Sequence, residues 1–215
     1  MAQIIKINVP VSNEYDVYIG SGMRFSTHLL DFCRGIGSRF LILTDDNVYS
    51  LYGDALLSLM KKEGLDVKMM SLGEGEHSKT RECKEYLENE MLSQGFGRDT
   101  AVIALGGGVV SDLGGFLAST YCRGVPVIYL PTTFLAMVDA SIGGKTGVNT
   151  TFGKNMIGSF SHPKAVFIDV DTLETLSDEE YFGGFIEVIK HMLLKGGEGY
   201  KNVSQSAKAL HGRDL

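Results

Sequence analysis

Apolar positions along the chain fall into short runs that alternate with longer segments in which they recur every three to four residues. The short runs are predicted strands, at residues 3–9, 15–19, 39–44, 66–72, 100–105, 125–130 and 165–168. The longer segments are predicted helices, at residues 46–63, 79–94, 112–122, 132–140 and 178–194. Several strands are continuous Val, Ile and Leu runs, which are typical of strands covered on both faces. This alternation predicts an α/β fold, a parallel sheet with helices on its faces.

Three regions depart from the alternation. Residues 20–39 predict a helix-like connection between two strands. Residues 143–161 are polar and glycine-rich, and we expect a functional loop there because loops of that length inside a compact domain usually have a function. Residues 195–215 carry GGEG and then a polar stretch with no closing apolar element, so we expect the chain to stop within a larger unit.

The charge and composition of the chain argue against several classes of protein. With Lys+Arg 20 against Asp+Glu 26, the chain has a net charge of −6 and no Lys/Arg run longer than two, which argues against nucleic-acid and anionic-membrane partners. No stretch is long and apolar enough for a signal peptide or membrane span. The three cysteines are widely spaced, which predicts a cytoplasmic protein without disulfides or zinc fingers.

Glycine is the unusual residue, with 27 in the chain, and one cluster of glycines lies between a predicted strand and a helix. The segment TAVIALGGG at residues 100–108 would let backbone N–H groups approach a nucleotide diphosphate closely. The dinucleotide motif is imperfect, because Ser111 occupies its last glycine position, and a tight turn without a ligand stays open. Gly114 and Gly115 inside the following helix predict close packing of that helix on the sheet.

A second glycine-rich segment, SIGGKTG at residues 141–147, resembles a phosphate-binding P-loop only superficially. Asp139 stands where the first glycine of that motif is needed, and a helix rather than a strand precedes it. The loop still combines exposed amides with cationic side chains, which favours a phosphate or carboxylate site over an ordinary solvated loop. The polar side chains concerned are Lys145, Lys154, Asn149 and Asn155.

Other polar residues follow the ends of predicted strands, where ligands bind in open α/β sheets. Asp45 and Asn47 could accept a hydrogen bond from a ribose, but an N-cap at Asp46 is favoured by the pattern alone. Helix capping is likewise the alternative for Glu74, Glu76 and Lys79. Glu187 and His191 share one helix face and could supply two metal ligands, although a surface Glu–His pair is favoured.

Taken together, five segments resemble the 3-dehydroquinate synthase family in order and spacing, between about residues 45 and 191: GGGVVSDLGG, PTTFLAMVDASIGGKTGVNT, FGKNMIGSF, DVDTLETL and GGFIEVIKH. The resemblance implies a Rossmann-like NAD-binding domain at residues 1–176. It also implies that residues 177–215 hold the first helix of an incomplete helical metal-binding domain. More distant resemblances are to related sugar-phosphate cyclases and to the iron-dependent alcohol and glycerol dehydrogenases.

This family converts 3-deoxy-D-arabino-heptulosonate 7-phosphate into 3-dehydroquinate and phosphate, a lyase step of the shikimate pathway toward chorismate and the aromatic amino acids. It uses NAD+ catalytically and a divalent metal, zinc or cobalt. Its partner molecule is a phosphorylated sugar acid, and the resemblance implies a homodimer. Because the remaining metal ligands lie in the missing domain, we expect the chain alone to be inactive. The alternatives are a related sugar-phosphate cyclase and a non-catalytic NAD-binding module.

The resemblance also assigns residues. Contacts to NAD+ are implied for Asp45, Asn47, Glu74, Glu76, Lys79, Gly107, Gly108, Asp112, Thr132, Thr133, Lys154, Thr172, Leu173, Glu174 and Thr175. Substrate contacts are implied for Asp139, Lys145, Asn155 and Lys190, and Arg123 matches an arginine that reaches the neighbouring subunit's substrate phosphate. Glu187 matches the first metal ligand, whereas His191 matches no ligand position.

Overall fold

The computed structural model describes residues 14–196 together with residues 201 and 205, and within them lies a six-stranded parallel sheet beside a two-stranded hairpin. The strands are β1 (Asp16–Gly20), β2 (Arg39–Asp45), β3 (Asp66–Leu72), β4 (Thr100–Gly106), β5 (Val127–Pro131), β6 (Lys145–Thr150), β7 (Gly153–Phe160) and β8 (Ala165–Asp169). The large sheet has the order β1-β8-β5-β4-β2-β3.

Helices cover both faces of this sheet. The α-helices are α1 (Thr27–Ile36), α2 (Asp46–Val48), α3 (Asp54–Lys62), α4 (Arg81–Ser93), α5 (Gly108–Thr120) and α6 (Asp178–Lys195). Short 3₁₀ turns lie at Met23–Phe25, Glu76–Ser78, Tyr121–Arg123 and Val170–Thr175, and π-helical turns at Tyr49–Gly53 and Ala136–Ala140. The chain therefore has the predicted α/β, Rossmann-like architecture.

Burial explains why the strand predictions succeed. Strands β4, β5 and β8 are buried along their whole length, between one hydrophobic cluster on each face of the sheet. The predicted strands between residues 15 and 168 match the observed ones within two residues. The strand predicted at residues 3–9 and the polar stretch beyond residue 196 lie outside the described residues, apart from residues 201 and 205. The domain boundary at residue 176 stays a prediction.

Helix α5 lies unusually close to the sheet, as its glycines predict. A Cβ atom on Gly115 would lie 2.1 Å from the Tyr129 hydroxyl oxygen and 2.4 Å from Cγ2 of Thr146. No side chain fits in that gap, so glycine lets the helix approach the sheet. The helix begins at Gly108, four residues before the predicted start at residue 112, because the glycines that indicated a turn already belong to its first turn.

The loop predicted at residues 143–161 is wrong, because the structure forms the antiparallel hairpin β6–β7 there. Strand β6 is largely buried, with Thr146 and Val148 facing inward, and it packs against α5. Glycines and polar residues hide the alternation that would indicate a strand, since the outer positions of β7 stay exposed. Residues 20–39 contain the predicted helix, α1, whose N-cap Ser26 accepts a hydrogen bond from the Leu29 amide.

The last described helix, α6, has a packed face and an open face. Tyr181 and Gly184 are buried against the segment around Phe134, whereas Ile186, Leu193 and Leu194 are more than half exposed. Among the described residues, no helix has the length and apolar character that crossing a membrane requires.

Candidate functional site

A cleft of about 730 Å³ opens at the carboxyl edge of the large sheet. The segments that follow β2, β3, β4 and β5 converge on it, as expected for a ligand site in an open α/β fold. Predicted cofactor and substrate residues form much of its wall: Asp45, Asn47, Glu76, Lys79, Gly107, Gly108, Asp112, Thr132, Thr133, Asp139, Lys154, Asn155 and Thr175.

The glycine turn between β4 and α5 forms the floor of this cleft. Gly107 is the N-cap of α5 and offers no side-chain cap, so the first amides of the helix are available to a ligand. The turn is held against the strand end after β5, where the Thr132 amide donates to the Gly106 carbonyl at 3.0 Å. A Cβ atom on Gly107 would lie 3.0 Å from Cγ2 of Thr133. An uncapped helix N-terminus lined by glycine favours a phosphate group.

The acidic residue at the end of β2 has a structural contact as well as a place in the cleft. Oδ1 of Asp45 accepts a hydrogen bond from the Val48 amide at 2.9 Å, so Asp45 is the N-cap of α2 and the expectation of a cap at Asp46 is wrong. Burial raises the pKa of Asp45, and the nearby charge of Glu74 contributes in the same direction. The second carboxylate oxygen and Asn47 remain able to contact a ribose hydroxyl.

Lys79 is a buried cation in the cleft wall. Its side chain is only 5% exposed, and its Nζ contacts the Asp112 carboxylate and Oδ1 of Asn155, the latter at 2.5 Å. The proposed alternative, that Lys79 caps a helix, is wrong because Thr80 accepts the Cys83 amide and caps α4. Burial of an ammonium requires such partners.

Further hydrogen bonds extend this contact into a network across three segments. The Asn149 side chain donates to Oε1 of Glu76 at 2.8 Å and accepts from the Asn155 amide at 2.9 Å. The Asn149 amide also donates to the Lys79 carbonyl at 2.8 Å. We call Glu76, Lys79, Asp112, Asn149 and Asn155 the lysine network. It ties the hairpin β6–β7 to α5 and to the segment before α4.

The electrostatics of the network depend on burial. Desolvation raises the pKa of Asp112, while the hydrogen bond and charge of Lys79 oppose that rise. Lys79 is therefore the main group that favours the ionised form of this carboxylate. Removal of Lys79 would leave a partly buried acid without its counter-ion.

Two predicted substrate residues have a left-handed backbone that non-glycine residues seldom adopt. Asn155 has φ 56° within β7, and Arg123 has φ 73° in the turn after α5. Such conformations are concentrated at functional sites in folded proteins. Asn155 is in the lysine network, whereas Arg123 is exposed and lies outside the cleft of its own chain. Lys145 lines an adjoining cavity of about 300 Å³ that shares Asp112 and Asn155 with the cleft.

The turn Val170–Thr175 is placed differently from the rest of the predicted cofactor set. Thr172 and Leu173 are buried, and the Thr172 hydroxyl donates to the Asp169 carbonyl at 2.9 Å, so their side chains do not line the cleft. Glu174 is exposed, and only Thr175 of this turn reaches the cleft. Sequence reasoning missed Tyr52, a buried tyrosine in the cleft wall whose hydroxyl contacts Oγ1 of Thr175.

Glu187 lies at the α6 side of the cleft, where it meets two other possible ligands. His191 Nε2 is 3.9 Å from Oε1 of Glu187 and 3.5 Å from Oδ1 of Asp139. The Lys190 ammonium also contacts Glu187, and that hydrogen bond raises the pKa of Lys190. The expectation of a simple surface pair for His191 missed Asp139, because that contact is formed between distant segments of the chain. One imidazole and two carboxylates are a donor set suited to zinc or cobalt.

Comparison with known proteins shows which family the chain belongs to. The family model described as 3-dehydroquinate synthase N-terminal matches residues 69–183, which include the glycine turn and the lysine network. The chain belongs to the 3-dehydroquinate synthase family. A 3-dehydroquinate synthase of Synechococcus sp. (strain CC9605) is 44% identical over 184 residues, which are 85% of this chain and 50% of that protein. The chain thus spans about half the length of this 3-dehydroquinate synthase.

Two solved structures share the fold. A 2-epi-5-epi-valiolone synthase from Streptomyces hygroscopicus subsp. jinggangensis 5008, with NAD+ and Zn2+ bound, has a TM-score of 0.78 and 31% identity over 86% of this chain and 51% of its own. A 2-deoxy-scyllo-inosose synthase complexed with carbaglucose-6-phosphate, NAD+ and Co2+ has a TM-score of 0.77 and 27% identity over 83% of this chain and 48% of its own.

Proposed function

We propose that the chain is the NAD+-binding half of a 3-dehydroquinate synthase, which converts 3-deoxy-D-arabino-heptulosonate 7-phosphate into 3-dehydroquinate and phosphate. The observation that carries the proposal is the uncapped glycine turn of α5 beside the lysine network, within the segment that matches the family. The two solved structures described above, each with NAD+ bound, support the choice of cofactor.

In this proposal the cleft binds NAD+ through the chemistry that each wall offers. The first amides of α5 bind the pyrophosphate, and Asp45 with Asn47 binds the adenosine ribose. Asp139 and α6 would remain available to the nicotinamide. NAD+ supplies a hydride acceptor that is restored within each turnover, so the overall reaction has no net oxidation.

The substrate binds on the cationic side of the cleft. Lys145 and Lys190 would neutralise its phosphate and carboxylate, and Asn155 would donate a hydrogen bond to one of them, so that the C–O bond to phosphate can break as the adjacent proton leaves. Glu187 would hold a divalent metal, and a metal bound there would supply Lewis-acid polarisation of the hydroxyl group being oxidised. The chain spans about half the length of its relatives. We therefore propose that this chain binds NAD+ by itself but converts the substrate only as part of the longer protein.

A homodimer belongs to the same proposal. Arg123 is exposed in a strained turn at the end of α5 and lies outside the cleft of its own chain, which suits a contact with the substrate phosphate of a second subunit. The cytoplasmic location inferred from the cysteines stays a prediction.

Titration calorimetry with NAD+ tests the cofactor part. We expect saturable binding by this chain and at least a tenfold loss in Gly107→Val, whose side chain would fill the space beside Thr133. Gly143→Ala is the matched control, because a Cβ atom there meets nothing within 4 Å. Unaltered binding in Gly107→Val would contradict the placement of the pyrophosphate.

A phosphate-release assay tests the proposed substrate against the alternative that the protein is a related sugar-phosphate cyclase. The 31% identity to the valiolone synthase supports that alternative. The product of the complete reading frame is assayed with heptulosonate phosphate and with sedoheptulose 7-phosphate. We expect turnover with the first substrate only. Turnover with the second alone would replace the proposed function by that of a related cyclase, and NAD+ binding without either activity would favour a non-catalytic module.

A further inference from the structure

A closed cycle of side-chain contacts lies behind the cleft wall that the segments after β2 and β8 form. It begins at Arg24, whose side chain is 15% exposed and whose Nη1 lies 2.7 Å from Oδ2 of Asp169. The flat guanidinium group lies over the rings of Phe25 and Tyr52, with its Cζ atom 4.8 and 4.7 Å from their centroids. The ion pair and the two aromatic faces together hold this guanidinium in one position.

The cycle returns to Tyr52 through the turn that follows β8. The Thr172 hydroxyl donates to the Asp169 carbonyl at 2.9 Å, and the Thr175 hydroxyl donates to the Thr172 carbonyl at 3.2 Å. Oγ1 of Thr175 also contacts the Tyr52 hydroxyl. Because the Thr175 proton is directed to the Thr172 carbonyl, the Tyr52 hydroxyl is the donor in this contact. We call Arg24, Tyr52, Asp169, Thr172 and Thr175 the arginine network.

The Asp169 carboxylate is only 2% exposed, and it has donors other than the guanidinium. Its Oδ1 accepts from the amides of Gly22 at 3.0 Å and Asp171 at 3.2 Å, and its Oδ2 accepts from the Arg24 amide at 3.0 Å. These three backbone donors would still satisfy the carboxylate if the guanidinium were removed. The contact of Arg24 that nothing else replaces is therefore the one with the Tyr52 ring.

Tyr52 and Thr175 are the members of the network that line the cleft, and they come from different segments. Tyr52 lies in the π-helical turn Tyr49–Gly53, which continues the helical segment that carries Asp45 and Asn47. Single π-helical turns often occur at functional sites. The hydrogen bond from Tyr52 to Thr175 fixes the spacing between the segment after β2 and the turn after β8.

We propose that Arg24 and Tyr52 are positioning residues for the adenosine half of the cofactor. Arg24 fixes the Tyr52 ring, and the Tyr52 hydroxyl holds Thr175 at a set distance from the wall that carries Asp45. Thr172, which is buried away from the cleft, acts through the same network and needs no cofactor contact of its own. The inference rests on the proposed function, because it takes the ligand of this cleft to be NAD+.

Binding of three ligands to the whole 215-residue chain tests the proposal. Calorimetry measures NAD+ and ADP-ribose, which both contain adenosine, and ligand-induced NMR shifts measure the weaker nicotinamide mononucleotide, which does not. We expect Tyr52→Phe to weaken the binding of NAD+ and ADP-ribose about fivefold, as one lost hydrogen bond predicts. Arg24→Met should weaken both about threefold or more. Neither variant should change the affinity for the mononucleotide, whereas a general loss of structure would lower all three affinities.

Two matched variants serve as controls. Arg34→Met removes an exposed arginine of α1 that pairs with Asp31 and Glu63, and Tyr86→Phe removes a hydroxyl from an exposed tyrosine of α4. Each should leave the affinity for NAD+ within about twofold of that of the unaltered chain. Circular dichroism confirms that each variant is folded. If Arg24→Met does not fold, Tyr52→Phe decides the test, because it keeps the ring and loses only the hydroxyl.

The failure of this inference can be told apart from the failure of the proposed function. If the unaltered chain binds NAD+, an unchanged affinity for ADP-ribose in either folded variant would overturn the roles of Arg24 and Tyr52 and leave the proposed function intact. Equal losses for ADP-ribose and the mononucleotide would have the same meaning. Absence of NAD+ binding by the unaltered chain would overturn both proposals.

Discussion

The two sides of the cleft are built in contrasting ways. On the sheet side, α5 lies against β4 and β6 with no room for a Cβ at Gly115, and the lysine network connects three segments by short hydrogen bonds. On the α6 side, Asp139, Glu187 and His191 are partly exposed. Ile186 and Leu193 on the outer face of α6 are each more than 60% exposed.

The difference teaches where rigidity is needed. A rigid binding surface, whose shape is set during folding, suits a ligand that is the same in every turnover. The α6 side offers ligands and charges that are only partly satisfied, which suits groups that arrive and leave. We therefore expect substitutions at tightly packed positions to change stability, and those at the partly exposed residues of the α6 side to change binding more than stability.

The largest effect is expected at Gly115 on the sheet side. Gly115→Ala would place a methyl group 2.1 Å from the Tyr129 hydroxyl oxygen and should lower the free energy of unfolding by about 3 kcal/mol, because α5 must move away from the sheet. Urea denaturation measures the change. Gly143→Ala, in open space, should stay within about 0.5 kcal/mol of the unaltered chain. Equal losses of stability at the two positions would contradict the inference that the close packing of α5 on the sheet stabilises the fold.

A slightly smaller loss is expected when the lysine network loses its cation. Lys79→Met leaves the Asp112 carboxylate, with its side chain 20% exposed, without its counter-ion and should cost about 2 to 3 kcal/mol in the free energy of unfolding. The double variant Lys79→Met/Asp112→Asn should recover part of that loss, because no buried charge remains unpaired. A double-mutant cycle in urea measures the coupling, and additive losses would contradict a direct ion pair.

The same network predicts an unusual dependence of the free energy of unfolding on pH. Burial raises the pKa of Asp112 above 3.8, so the folded state holds this proton more tightly than the unfolded state and the stabilising contribution of Asp112 falls as pH rises through that window. The free energy of unfolding of the unaltered chain, minus that of Asp112→Asn, should therefore fall from about pH 4 upward.

Asp99 provides a control of opposite sign. The hydrogen bond from Ser38 holds its pKa below 3.8, so its contribution is present above that value and is lost as pH falls through the folded pKa. The corresponding difference for Asp99→Asn should rise with pH. Differences of the same sign for both variants would show that burial does not govern Asp112.

The smallest effect is expected on the open face of α6. Ile186→Ser changes a side chain that is 67% exposed and should alter the free energy of unfolding by less than about 0.5 kcal/mol. Gly184→Ala, two residues earlier on the inner face, should destabilise by about 2 kcal/mol, because its Cβ would lie 2.7 Å from Cβ of Phe134. Thermal unfolding of the two variants compares the faces, and a larger loss for Ile186→Ser would reverse their assignment.

Local pattern predicted most of the large sheet, because continuous apolar runs such as β4 and β8 are distinctive even in isolation. It failed for the hairpin β6–β7, whose inward positions alternate with glycine and polar residues. It also missed the contacts that join distant segments, such as Asn149 with Glu76 and His191 with Asp139. Such contacts depend on the assembled fold, so spacing along the chain cannot indicate them.

The order of strands in the sheet has a consequence for how the protein is made. Strand β1 pairs with β8, and Asp16 aligns with Ala165, roughly 150 residues later. At a synthesis rate of about 5 to 20 residues per second, β8 is synthesised roughly 8 to 30 seconds after β1. During that time the hydrogen-bonding edge of β1 is unpaired, so the nascent chain has a window in which a chaperone would be most useful.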